Sequence, residues 1–111
     1  MRIIDWGPET GREITSFGST GLTATHLATG DVRVTVLRVA AGGEIGRHPA
    51  TVDQLFMVVS GRGTVCGSDG VGHQIAAGQA AVWTAGEEHT TRADEDLCAV
   101  VMEMRTLSLV G

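Results

Sequence analysis

The chain has few side chains that bind a metal or move a proton near neutral pH: four His, two Cys and no Tyr. Two of the His stand in ordered surroundings. Gly42 is followed by five residues, then His48, Pro49 and Ala50, three more, Gln54, six more, and Gly61. Gly78 is followed by five residues, then Thr84-Ala85-Gly86, two acids and His89, with Ala93 beyond. Imidazole is a ligand for Fe, Mn, Ni or Zn and a general base whose ordinary pKa of about 6.5 suits neutral pH. Gln54 adds a neutral amide that accepts and donates hydrogen bonds. His48, Ala50, Gln54, Phe56 and Val58 share strand parity, so flanking strands aim them at one face. A one-residue slip would turn Gln54 outward and bring Leu55 and Met57 in.

The remaining candidates carry less chemistry. Asp53, Glu87 and Glu88 flank the site residues, but opposite parity or turn placement points them to solvent. Glu103 faces inward only if a register that the sequence leaves open allows it. His26 and His73 lie outside both runs and are expected at the surface or a strand edge. Phe56, Met57, Trp83 and Met102 line a pocket or simply form core. Cys66 and Cys98 lie 32 positions apart with no CxxC, which suits two reduced thiols acting as small buried hydrophobes better than a disulfide or zinc framework. The absence of Tyr excludes phenolic acid–base chemistry. No nucleophile elbow, phosphate-binding loop or dinucleotide fingerprint is present.

The two glycine-framed runs resemble the paired motifs of the cupin superfamily. The first motif there reads Gly, five residues, His-x-His, three or four residues, Glu, six residues, Gly. The second reads Gly, five residues, Pro-x-Gly, two residues, His, three residues, Asn. The spacing matches throughout, and the sixteen residues between Gly61 and Gly78 suit the short connection of small single-domain cupins. The resemblance implies an antiparallel β-barrel or jelly roll, with residues 42–61 as its first motif and 78–93 as its second. In metal-binding cupins, two His and the Glu of the first motif and the His of the second hold a divalent ion. Here Ala50 replaces the second His, Gln54 the Glu, Thr84 the Pro and Ala93 the Asn. What the resemblance leaves for Zn, Fe, Mn or Ni is His48, Gln54 and His89. The loss of an imidazole and of the anionic ligand implies a chain that is largely metal-free or holds an ion loosely.

Strands must position these residues, and the sequence is rich in strand signals. Asp31 to Val39 alternates, with Val32, Val34 and Val36 on one face and Arg33 and Thr35 on the other, as in a half-buried strand. Leu22, Ala24, His26 and Ala28 form one parity class ahead of a turn at Thr29-Gly30-Asp31. Ala40 to Gly43 reads as a break. Leu55 to Ser60 is apolar on both faces, as for a strand between a core and a second layer. Gly61-Arg62-Gly63 and Ser68-Asp69-Gly70 are turn signals, the latter a hairpin ahead of His73 to Ile75. Ala80 to Trp83 and Leu97 to Met104 are further strands, and Arg105 to Val110 is a candidate for one more. Nowhere do apolar residues recur with helical spacing between caps. Residues 1–20, with Pro8, Gly11 and Gly18, read as an arm or edge strands.

The whole-chain arithmetic narrows the function. A length of 111 residues suits one domain spanning 1–111. All eight basic residues are Arg against 13 acids, a formal charge of -5 with no basic stripe, so nucleic acid is not expected as a partner. The longest apolar runs, Leu55–Val59 and Leu97–Met102, fall far short of the roughly 20 residues of a membrane helix. Met1 to Glu9 lacks the pattern of a signal peptide, and a cytoplasmic location is expected. A homodimer is expected from the resemblance and from edge strands that need covering. Two functions compete. One is a stand-alone barrel that binds a small molecule in a mostly apolar cavity through His48, Gln54, Phe56 and His89. The other is a metal-dependent dioxygenase, isomerase or decarboxylase, or a metal-free variant with a His as general base. The Ala50 and Gln54 pair favours binding or an atypical enzyme.

Overall fold

In a computed structural model, residues 1–110 are described. Nine strands form one antiparallel, nearly closed barrel: β1 Arg12–Ile14, β2 Thr20–Ala28, β3 Arg33–Pro49, β4 Asp53–Ser60, β5 Arg62–Cys66, β6 Gly72–Ala76, β7 Ala80–Trp83, β8 Glu88–Ala93 and β9 Leu97–Met104. Two 3₁₀ turns, Pro8–Thr10 and Ser16–Gly18, interrupt the N-terminal segment. The main sheet order is β6-β5-β8-β3-β9-β4-β7, and β2 lies between β1 and β3. Among the described residues no helix is long and apolar enough to cross a membrane.

The 17-residue strand β3 organises the barrel because it serves different partners along its length. Its first half pairs with β2 and β9, and its second half, from Glu44, pairs with β8. The residues Ala40 to Gly43, expected as a break, are instead a bulge within a continuous strand. The β2 register jumps from Leu22↔Val39 to Thr20↔Glu44 across it. Gly42 supplies a φ of +80°, and a Cβ on Gly43 would stand 2.6 Å from the Thr20 carbonyl oxygen. Extra residues in one strand bend it and raise its twist, which redirects β3 from one wall of the barrel to the other.

The interior is filled by Leu22, Val39, Ile45, Phe56, Val58, Val65, Ile75, Trp83, Leu97 and Val101. They come from β2, β3, β4, β5, β6, β7 and β9, so a one-residue slip in any of these strands would turn its contribution outward. The alternation of β3 works differently from the expected half-buried strand. Thr35 and Leu37 belong to the face that looks into the barrel, whereas Val36 is fully buried on the opposite face. The N-terminal segment covers that opposite face: Thr10 hydroxyl pairs with Thr25 hydroxyl at 2.8 Å, and Arg38 donates to the Trp6 carbonyl. Residues 1–20 thus supply both an edge strand and a cover.

Two other sequence expectations need correcting. Arg105 to Val110 form no strand; the Leu107 N–H is held instead by the Asp53 carboxylate at 3.0 Å. The outer face of β4 is less covered than expected, since Val59 is exposed and Met57 only half-buried.

Candidate functional site

Strand register builds a graded cavity of about 330 Å³ in the barrel. One row across the sheet is Ala24–Leu37–Ala99–Val58, entirely apolar, and its Ala24 and Leu37 line the cavity. The next is His26–Thr35–Val101–Phe56. The third is Arg33–Glu103–Gln54–Trp83. Polarity rises from floor to rim because successive inward positions lie two residues apart along each strand. From the other wall, β3 and β8 bring His48 directly opposite His89. All four residues singled out from the sequence, His48, Gln54, Phe56 and His89, line this one cavity. Leu55 and Met57 do not line it.

The two imidazoles belong to a row of rings. Phe17 lies flat on His48, with centroids 4.4 Å apart and planes 7° apart. His48 and His89 are 4.4 Å apart and tilted by 57°. His89 stacks on Trp83 at 4.3 Å, and Trp83 meets the edge of Phe56 at 5.7 Å. Each imidazole is oriented by its own strand. His48 Nδ1–H donates to the Gly46 carbonyl at 2.7 Å, and His89 Nδ1–H donates to the Glu87 carbonyl at 3.3 Å. A carbonyl only accepts, so these bonds fix the tautomer of a neutral ring and leave Nε2 with its lone pair free. Among the described residues, no buried side-chain nitrogen or oxygen lacks a partner. The free Nε2 of His89 therefore opens onto the cavity.

Electrostatics keep that nitrogen basic yet unprotonated. Burial pushes the His89 pKa below its ordinary 6.5, with the His48 ring adding to the fall and the Glu87 carbonyl and carboxylate opposing it. A neutral His89 at pH 7 accepts a hydrogen bond or a proton from whatever enters.

The structure also relocates several residues. His26, expected only at a surface or edge, lines the cavity while remaining exposed, with Nδ1 3.3 Å from the Thr35 hydroxyl. Glu103 faces inward, the register having been open in the sequence. Arg33 and Phe17 line the cavity although nothing singled them out. Asp53 accepts from the Ala85 and Leu107 N–H groups, Glu87 from the Thr84 N–H at 3.2 Å, and Glu88 pairs with Arg47 at 2.5 Å. These carboxylates hold loops and strands together. His73 lies exposed on β6. Cys66 and Cys98 are free, and burial raises the Cys98 thiol pKa, so it is a poor nucleophile at neutral pH. A larger cleft of about 720 Å³ lies between the N-terminal segment and the outer sheet face around Arg38 and Asp96, away from both histidine motifs.

As a metal centre the site is a poor fit. Two imidazoles and a neutral amide are one imidazole and one anion short of the four-ligand cage, and Ala50 is a buried methyl where the missing ring would stand. Among the described residues, no three His, Cys, Asp or Glu side chains cluster closely enough to hold an ion. A dication gains from an anionic donor that offsets its desolvation, and Gln54 offers none.

Comparison with known proteins agrees with this architecture. The Cupin domain family matches residues 35–105, both motifs and the strands between them, and the chain belongs to that family. No curated protein matches the chain. Among solved structures it is similar to a conserved protein of unknown function from Streptococcus pyogenes, at 25% identity over 78% of this chain and 76% of that one, with a TM-score of 0.69. A Cupin 2 conserved barrel domain protein from Salinispora arenicola gives 19% identity, 94% and 88% coverage and a TM-score of 0.78. A protein described as a predicted oxalate decarboxylase, from Thermotoga maritima, gives 19% identity, 87% and 93% coverage and a TM-score of 0.79.

Proposed function

We propose that this cupin is a binding barrel that takes one small, largely apolar molecule into the cavity between the two histidines and the sheet floor. The observation that carries this reading is the ring row. Phe17, His48, His89, Trp83 and Phe56 present stacked aromatic surface beside an apolar floor, with the His89 Nε2 as a convergent polar atom. Apolar walls with a few placed polar groups are the usual make-up of a small-molecule pocket, and about 330 Å³ lies at the small end of their range. Exposed Ile3, Ile4 and Trp6 and the short edge strand β1 support a homodimer, and two free thiols support a reducing compartment such as the cytoplasm.

Fluorescence tests the reading. Trp83 borders the cavity, so a Trp6→Phe background makes emission report on the site alone. Titration with 2-phenylethanol is expected to give a saturable change in Trp83 emission. An Ala24→Phe substitution, which fills the floor, is expected to abolish it. A linear, non-saturating response in both proteins would contradict the proposal.

A second reading, a metal-dependent decarboxylase or related enzyme, draws on the likeness to the Thermotoga protein. Near-stoichiometric iron, manganese, nickel or zinc surviving extensive dialysis against chelator would favour it over the binding barrel.

A further inference from the structure

The rim row contains a charged pair that neither motif includes. Arg33 on β3 sits directly across from Glu103 on β9, which sits directly across from Gln54 on β4. All three side chains line the cavity, and Arg33 is its sole Arg. Ion pairs form elsewhere, between Arg47 and Glu88 and between Arg62 and Glu95. Among the described residues, neither Arg33 nor Glu103 belongs to one. The rim thus offers a guanidinium fork, a carboxylate and an amide side by side, above a floor of Leu37, Val101 and Phe56.

We propose that this three-residue strip reads the polar head of the ligand, and that the ligand is a small carboxylic acid with a hydrogen-bond donor on the carbon next to its carboxyl group and an apolar tail. The inference rests on the cavity reading above. A guanidinium binds a carboxylate through two parallel hydrogen bonds, which a neutral ester cannot match. The Glu103 carboxylate offers only acceptors, so it selects a hydroxyl or amino hydrogen beside the ligand carboxylate. Gln54 satisfies whichever group is left. The tail then meets Phe56 and Val101, two residues deeper on the same strands.

Calorimetric titration of the full chain with 3-phenyllactate, its methyl ester, 3-phenylpropanoate and 2-phenylethanol tests this. Charge-assisted hydrogen bonds to a carboxylate predict that phenyllactate binds roughly tenfold or more tightly than its ester. Phenylpropanoate, lacking the hydroxyl, is expected to fall several-fold behind phenyllactate. Arg33→Gln is expected to bring phenyllactate down to the level of the ester without altering the ester. Glu103→Gln is expected to erase the preference for phenyllactate over phenylpropanoate. Equal affinity for acid and ester overturns the inference on the unmodified chain, whatever the variants do. So does an Arg33→Gln variant that weakens acid and ester alike, or one that lowers thermal stability while leaving phenyllactate affinity intact, because the pair would then be structural. Saturable 2-phenylethanol binding as tight as that of phenyllactate would sink the head-group inference and leave the cavity reading standing. Failure of all four compounds to bind would sink both.

Discussion

At the residue scale, His48 and His89 hold their positions through their own strands rather than through each other. Each Nδ1 is tied to the carbonyl two residues earlier, and each ring is stacked on a neighbour. His48→Ala removes the platform for Phe17, a stacking contact of about 0.5–1.5 kcal/mol, from a site that is only half-buried. The variant is expected to lose much of its 2-phenylethanol affinity while its unfolding free energy falls by no more than that amount. A larger stability loss in urea titration with unchanged binding would make His48 a core residue. His89 sets a pH dependence. Its ring takes a proton less readily when folded than when unfolded, so the unfolded chain binds more protons as pH drops below about 6.5. This contribution to stability is complete above that pH and declines on acidification through the depressed folded pKa. NMR titration is expected to place the His89 midpoint below the ordinary 6.5 of a free imidazole; a midpoint above it would contradict the burial argument. Removal of metal belongs to this scale as well. Dialysis against chelator is expected to leave the unfolding temperature within about 2 °C of its starting value, since among the described residues no three His, Cys, Asp or Glu side chains cluster to anchor a structural ion.

At the element scale, two close backbone approaches hold the cavity walls together. A Cβ on Gly46 would stand 1.6 Å from the Phe17 carbonyl oxygen, so this glycine lets the 3₁₀ turn that carries Phe17 lie against β3. Phe17 itself adopts a left-handed φ of 60°, a conformation disfavoured for a bulky side chain; the residue is 62% exposed, and its ring stacks on His48. Gly46→Ala forces that turn away and is expected to cost about 1–3 kcal/mol, as overpacking does, together with Phe17 stacking. Chemical denaturation and the His48 ring resonances would report the two losses; retention of both would refute the close approach. The motif spacing made the inward parity of His48, Gln54 and Phe56 legible, because strand parity is an arithmetic property of the chain. Arg33 and Glu103 were not legible for the same reason turned around. The alternation of β3 placed the valines on the expected buried face, whereas β3 is buried on both sides, and Val36 lies beneath the N-terminal segment. Only pairing with β9 shows which face looks inward, and pairing register between distant strands is not written in either strand alone. The bulge at Gly42-Gly43 was visible as glycine, though whether it ended the strand or bent it depended on the β2 partner.

At the scale of the whole molecule, a short chain closes a barrel whose floor is apolar, whose rim is charged, and whose opening is capped by one ring from the N-terminal segment. That segment is tied at Thr10 and Arg38, while Ile3, Ile4 and Trp6 stay exposed. Light scattering is expected to give twice the mass of the 11.5 kDa chain, and a monomer at high micromolar concentration would contradict the dimer. Membership of the cupin family was legible because glycine-framed spacing survives even where the ligand residues have changed, and the barrel depends on the glycines more than on the ligands. We place small-molecule binding in the barrel interior, and not in the larger cleft under the N-terminal segment. Backbone amide chemical shifts of the full chain under saturating 2-phenylethanol distinguish the two. Shifts are expected to concentrate at Phe17, His48, Gln54, Phe56 and Thr91, with Trp6, Arg38 and Asp96 unmoved. Shifts confined to Trp6, Arg38 and Asp96 would contradict this placement.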